Sequence, residues 1–277
     1  MPEGPEVKVI CTWLNEYLKD ALIVDCPEGY KKKTGYKAII GYTIEKVTCK
    51  GKQLFFHLNK KKDPEDSSGS LRFYLNSRLA FDGKWSSTEE GHTRFHMRLS
   101  RVESSFYIYF DDTMNRGGLD LWTPEEYLAK LNKIGPDLLS ENVGYDLYKS
   151  KIKNGRIRNN FICNYLVKQQ YFSGVGNYLR AEILYACKIR PDRKLFELSE
   201  QDVVNLYTKS IELIKLAHSC GGLTIKTFWA PDGARGKYTC QVYNKNKDEL
   251  GNNVQKDKYG KGQGADQYVH WAPNVQV

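Results

Sequence analysis

The chain has 277 residues, 40% of them hydrophobic and 27% charged, which suits one or two folded domains around a buried core. Lys and Arg number 42 against 33 Asp and Glu, a formal charge of +9 that fits an anionic partner without naming one. No run reaches the ~20 apolar residues of a membrane helix, the start MPEGPEVKVI has no basic-then-apolar signal pattern, and seven scattered cysteines form no CxxC pair. These features predict an intracellular protein with reduced thiols, with neither a disulfide frame nor a cysteine zinc site.

From the N-terminus, Val7, Ile10, Cys11, Leu14, Tyr17 and Leu18 recur at helical spacing, so residues 5–20 are predicted to form one helix. Gly4 followed by Pro5 suits its start, because a proline in the first position sacrifices no helical bond. Between 37 and 122 the pattern changes to short alternating runs: KAIIGYTIEKVTCKG, KQLFFHLN, LRFYLNSRLAF, TRFHMRLS and SSFYIYFDD. These predict antiparallel strands, with KKKDPEDSSGS (60–70) as a loop. Helical periodicity returns over 150–220, with room for two or three helices and a break at SGVGN (173–177). Past 221 the chain is polar and rich in Gly and Lys. The spaced Phe228, Trp229, Tyr238, Tyr243, Tyr259, Tyr268 and Trp271 predict a small hairpin module there. The expected class is α+β. A β-rich domain over 1–134 would lead through a connector (135–148) to a helical domain (149–222) and a hairpin (223–277).

The first residues suggest chemistry. Methionine before proline is normally removed, which exposes Pro2, and an α-amine titrates at about 7.7–8.0, so much of it is free base near neutrality. A secondary amine that attacks a sugar C1′ yields an iminium, an electron sink whose positive charge needs no proton. Glu3 follows directly, and Glu6 lies one helical turn beyond it on the same face, two carboxylates suited to proton transfer. Read from spacing alone, PEGPE is equally an ordinary helix start with acidic first-turn residues. In SGVGN, Gly174 and Gly176 offer positive φ and close backbone approach to a ligand. Asn177 opens a helix whose free N–H groups suit a phosphate. The segment KSKIKNGRIRNN (149–160) carries five basic residues and no acid, which suits either a DNA-facing ridge or a solvated face.

Four segments resemble one family in order along nearly the whole chain. MPEGPEVKVI is similar to the N-terminus of the formamidopyrimidine-glycosylase/endonuclease VIII family, and CKGKQLFFHL (49–58) to its lysine-bearing turn. IGPDLL (134–139) resembles the element leading into its second domain, and NNFICNYLVKQQYFSGVGNYLRAEILYACKIRP (159–191) its helix–two-turns–helix. The resemblance implies an N-terminal antiparallel β-sandwich with flanking helices, then the helical domain and a C-terminal finger. It implies a bifunctional DNA glycosylase and abasic-site lyase that removes oxidised bases and nicks by β,δ-elimination. Pro2 would form the Schiff base, Glu3 would protonate the deoxyribose ring oxygen, Glu6 would support proton transfer, and Lys52 would lie by the sugar and its phosphates. Damaged DNA would be the partner, with no organic cofactor, no membrane and a monomeric enzyme in a DNA-containing compartment.

The chain also departs from the family pattern. Where many relatives place four finger cysteines it has Lys247, Leu250, Ala272 and Val275, which cannot ligate zinc as thiolates. The expectation is a metal-free hairpin similar to the zincless finger of animal endonuclease VIII-like enzymes, stapled by Trp271 and Tyr243. No arginine follows Arg235, so Lys261 or Gln267 stands nearest the family's phosphate-gripping position. Ser77 falls where a gap-filling Met belongs, and DDTMNRGG (111–118) lacks the Arg-Arg-Phe-Gly of 8-oxoguanine enzymes. Leu79, Met114 and Arg116 are the candidates for filling the gap, and the departure favours oxidised pyrimidines. A DNA-binding protein that has lost the chemistry, and an RNA-binding helix–turn–helix module, are the competing readings. Strand cleavage at an abasic site separates the first, and the N-terminus speaks against both.

Overall fold

An apolar stripe with an acid in the first turn makes the opening helix. In the computed structural model, which describes residues 1–60, 71–102, 104–224, 233, 235–259 and 267–277, α1 spans Gly4–Leu18. Val7, Ile10, Cys11, Leu14 and Leu18 are buried along it. It ends two residues before the predicted 20, because Asp20 adopts a φ of 61° and gives its N–H to the Ile44 carbonyl at 2.9 Å. Two compact units divide the chain. One holds Met1–Pro2, Glu6–Asn132 and Ile225–Gly236; the other holds Glu3–Pro5, Lys133–Thr224 and Lys237–Val277.

The first unit is built on β1 (Ala21–Asp25), β2 (Thr43–Lys50), β3 (Gln53–Lys60), β4 (Leu71–Arg78), β5 (Lys84–Ser86), β6 (Thr93–Arg101), β7 (Ser104–Asp111) and β8 (Gly118–Trp122). They form one antiparallel sheet in the order β5-β7-β6-β1-β2-β3-β4-β8. Trp85 on β5 packs 4.9 Å from Phe56 on β3 and donates its indole N–H to Ser77 on β4 at 3.0 Å. Those strands are far apart in the order, so the sheet folds over onto itself around Phe56, Leu75, Trp85, Phe95, Met97 and Phe110. Ring pairs of this kind add about 0.5–1.5 kcal/mol each beyond area burial. The run from 37 is not one strand: Tyr36–Ile39 is a 3-10 turn between Gly35 and Gly41, both at φ near 85°. Helix α2 (Pro124–Leu131) has a capping box, Thr123 and Glu126 bonding each other's backbone N–H, with proline at its first position.

The second unit carries α3 (Tyr145–Ile152), α4 (Ile162–Leu166), α5 (Asn177–Ala186), α6 (Glu200–Ser219) and the hairpin of β9 (Gln255–Asp257) with β10 (Val269–Trp271). Residues 135–148, expected as a connector, are hydrogen-bonded into it. Gly135 N–H reaches the Gln169 carbonyl at 2.8 Å, and Ser173 N–H the Pro136 carbonyl at 2.9 Å. The chain end folds back, Val277 N–H meeting the Lys188 carbonyl at 3.0 Å, while Gln276 donates to the Ile189 carbonyl at 2.9 Å.

The hairpin region is anchored chiefly by carboxylates. Glu182 on α5, 2% exposed, accepts the backbone N–H groups of Gln241, Val242 and Tyr243 at 2.7, 3.0 and 2.9 Å. Burial raises its pKa, and those three donors pull the other way. Asp248 gathers the turn after it, accepting from Leu250 and Asn252 N–H at 3.0 and 2.8 Å and from the Tyr185 hydroxyl at 2.9 Å. The expected aromatic staple is present in altered form: Trp271 donates to Asp257 at 2.6 Å, and Tyr243 packs on His270 at 4.8 Å. Of the four positions expected to stand in place of finger cysteines, Leu250 is 80% exposed and Ala272 wholly buried, so they do not share one environment.

Candidate active site

Glu3, 1% exposed, is held by the start of α5. One carboxylate oxygen accepts Gly176 N–H at 2.6 Å and Leu179 N–H at 3.4 Å. The other accepts Tyr178 N–H at 2.8 Å. These are first-turn donors that have no partner inside the helix. A carboxylate there gains charge-assisted bonds and the helix dipole, both favouring its ionised form against the cost of burial. The Gly176, Tyr178 and Leu179 N–H groups expected to cradle a phosphate at the start of α5 are therefore already engaged by Glu3.

The two glycines of SGVGN divide their work. Gly174 has a φ of 103°, whereas Gly176 sits at −131°, outside the left-handed region. Gly4 donates its N–H to the Gly174 carbonyl at 2.8 Å, and a Cβ added to Gly4 would fall 2.9 Å from the Gly174 Cα. The close approach expected toward a ligand is made instead by the chain's own N-terminal turn.

Around Asn177 lies a cluster that the sequence reading missed. Arg180 is wholly buried. Its guanidinium donates to the Asn177 side-chain oxygen, to the Cys163 carbonyl at 3.4 Å and to the Gln267 carbonyl at 3.5 Å. Burial lowers its pKa, and the nearby Glu3 carboxylate opposes this. The Tyr243 hydroxyl faces the Asn177 side chain. Burial, with Lys256 and Arg180 beside it, pushes the His270 imidazole down to about 4, so it is neutral at pH 7. Gln267 is half-buried next to β10; Lys261 lies outside the described residues.

Three further candidates belong to the first unit. Pro2 is buried, two residues before the start of α1 and joined to Met1. Glu6 is 1% exposed in the first turn of α1. Lys52 is half-buried at the tip of the β2–β3 hairpin, whose two-residue turn is closed by the Lys50–Gln53 pair and made possible by Gly51 at φ 57°.

The gap-filling candidates separate. Leu79 is 1% exposed and belongs to the core, so it is not available for insertion; Ser77 beside it is spent on Trp85. The strand stops at Arg78, and Ala80 turns at φ 53°, which brings Phe81 out to 38% exposure. A second turn is organised by buried Asp112, which accepts Arg116 and Gly117 N–H at 3.0 and 2.8 Å. The two turns meet: Met114 N–H bonds Asp82 at 2.9 Å, and the Arg116 guanidinium lies 5.0 Å from the Phe81 ring centre. Phe81, Met114 (52% exposed) and Arg116 thus share one surface.

Residues 1–119 match the formamidopyrimidine-DNA glycosylase N-terminal domain, and residues 134–229 match its H2TH domain. The chain belongs to the formamidopyrimidine-DNA glycosylase/endonuclease VIII family. It is an enzyme of that kind, a DNA glycosylase with abasic-site lyase activity. Among its relatives, Endonuclease 8 of Enterobacter sp. (strain 638) is 25% identical over 231 residues, 80% of this chain and 82% of the relative. Endonuclease 8 of Salmonella arizonae is 25% identical over 232 residues, 81% of this chain and 82% of the relative. The structure of Lactococcus lactis Fpg in complex with DNA containing an abasic site matches with a TM-score of 0.82 at 25% identity, over 99% of both chains. A complex of the same Lactococcus lactis protein with DNA containing an oxidised pyrimidine matches with a TM-score of 0.81, again over 99% of both chains.

Proposed function

We propose that this glycosylase removes oxidised bases, mainly pyrimidines, from DNA through a Schiff base on Pro2 and then nicks the strand by β,δ-elimination. The observation that carries the reading is the fixed Glu3 carboxylate, bound covalently next to the Pro2 nitrogen and locked by three backbone donors. The amine attacks C1′ as the glycosidic bond breaks and the base departs with a proton. The ring then opens to an iminium, which accepts the electrons released when a proton leaves C2′ and the 3′ phosphate is expelled. A second elimination expels the 5′ phosphate. Glu3 stabilises the positive charge that grows on the sugar and passes a proton to the ring oxygen, with Glu6 one helical turn on as the relay. Lys52 supplies an ammonium for a phosphate or developing charge.

Free Pro2 requires loss of Met1, because with Met1 attached its nitrogen is an amide. The test is borohydride reduction of the enzyme on abasic DNA, followed by mass spectrometry of the cross-linked peptide. The expected result is a covalent adduct on an N-terminal Pro2 peptide. A competent enzyme that retains Met1, or an adduct on a lysine, would refute the nucleophile. The competing readings, a binder without chemistry and an RNA-binding module, predict no adduct.

For DNA contacts, Asn177 and Gln267 stand at one cluster of the second unit, with Lys261 proposed as a further phosphate contact. Gly174 and Gly176 contribute by shaping the α5 entrance. The missing 8-oxoguanine motif favours pyrimidine lesions. We assign gap filling to Phe81, Met114 and Arg116, because an enzyme that extrudes a base needs side chains to occupy the hole. Met114→Ala combined with Phe81→Ala should slow excision from duplex DNA by about tenfold or more and spare excision from single strands. Equal losses on both substrates would remove the assignment. The enzyme is proposed to act as a monomer in a DNA-containing compartment without a cofactor. Among the described residues no helix is long and apolar enough to cross a membrane.

A further inference from the structure

A buried arginine is expensive: the desolvation of its charge amounts to several kcal/mol unless fixed partners compensate it. Arg180 has no exposed surface, so it cannot itself touch a nucleic acid, and simple packing at this helix position would be served by Leu or Met. What distinguishes it is the identity of its partners. The guanidinium grips the side-chain oxygen of Asn177 and the backbone carbonyl of Gln267, two of the DNA-binding candidates in this unit. They come from segments far apart in sequence, the α5 start and the residues before β10, and Gln267 lies 87 residues beyond Arg180.

We propose that Arg180 is a positioning residue for phosphate recognition, orienting the Asn177 amide and the Gln267 backbone from beneath so that they present one donor surface to the DNA strand. The proposal rests on the DNA-binding reading of Asn177. An asparagine amide offers one acceptor oxygen and one NH2. A guanidinium has donors only, so its bond to the Asn177 oxygen dictates which end of the amide faces inward. One N–H of the outer NH2 suits the Tyr243 hydroxyl, and the other is left for a phosphate oxygen. Without the guanidinium the amide is free to flip and present its oxygen, which repels an anion. The fork matters as well as the charge: Nη2 reaches both Asn177 and Gln267 while Nη1 is held by the Cys163 carbonyl at 3.4 Å, which fixes the plane of the guanidinium against α4; a lysine ammonium on a flexible stem lacks that second anchor.

The experiment compares Arg180→Met, Arg180→Lys, Asn177→Ala and the Arg180→Met/Asn177→Ala double variant on an oligonucleotide with a reduced abasic site, with melting curves for each. Arg180→Met and Asn177→Ala should each weaken binding about tenfold, and the double variant should be no weaker than either, since one phosphate contact is lost in every case. Arg180→Lys should bind as poorly as Arg180→Met. Additive losses in the double variant, or full rescue of binding by lysine, would overturn the positioning role. If Arg180→Met fails to fold, the lysine variant alone decides, through binding. Failure of the underlying reading is separately visible, as wild-type binding unchanged by Asn177→Ala.

Discussion

Glu3→Gln should slow base excision by about 10²–10⁴-fold and leave part of the cutting at preformed abasic sites. The substitution looks conservative and is not, because both carboxylate oxygens are acceptors here. One takes Gly176 and Leu179 N–H, the other Tyr178 N–H. A glutamine has a single acceptor oxygen, so its NH2 must confront at least one of these backbone donors, and a buried unsatisfied N–H costs about 1–3 kcal/mol. The variant therefore loses the negative charge that stabilises the opening sugar, the proton path to the ring oxygen, and the geometry of the turn that carries Pro2. Abasic cutting needs less of this, because the base has already gone and only imine formation and elimination remain. Single-turnover rates on a damaged base and on an abasic site, measured side by side with a melting curve, check the claim. Full-speed excision by Glu3→Gln would remove Glu3 from the chemistry.

The parts of this arrangement that were legible in the sequence are those written locally. The stripe of Val7, Ile10, Leu14 and Leu18 has a helical period, and packing followed it. SGVGN announced a break before α5, and the alternating runs announced an antiparallel sheet. Features fixed by partners far along the chain were hidden. Nothing near Glu182 indicates that its carboxylate meets the backbone of residues 241–243, and Arg180 reads as an ordinary exposed arginine in a helix. The phosphate cradle was misread for the same reason: a helix N-terminus shows free donors in the sequence, and only the fold shows that Glu3 has taken them. In NSRLAF a period of two placed Leu79 and Phe81 on one face. The chain instead turns at Ala80, a residue that gives no turn signal, so Leu79 goes into the core and Phe81 out. The strand β1 was overlooked because its five residues follow α1 with no Gly or Pro to announce it.

Gly4→Ala should cost about a hundredfold in excision rate, although it touches no group that donates or accepts a proton. A methyl on Gly4 would lie 2.9 Å from the Gly174 Cα and 3.1 Å from its carbonyl oxygen. These are backbone atoms, so no rotamer change relieves the clash. Gly174 cannot easily yield either, since its own φ of 103° is strained for any residue but glycine, and the Ile214 side chain closes its other side. The N-terminal turn must then lift by several tenths of an ångström. That stretches the 2.8 Å bond from Gly4 N–H to the Gly174 carbonyl and, one residue back, the three bonds to Glu3. A displacement of the nucleophile on this scale is what near-attack geometry does not tolerate. The control is Gly91→Ala, where an added Cβ meets nothing within 4 Å and the rate should not change. Melting curves should show Gly4→Ala still folded with its Tm lowered, at a cost of about 1–3 kcal/mol. A Gly4→Ala enzyme with wild-type rate and stability would mean that the contact between these two glycines does not set the position of Pro2 and Glu3.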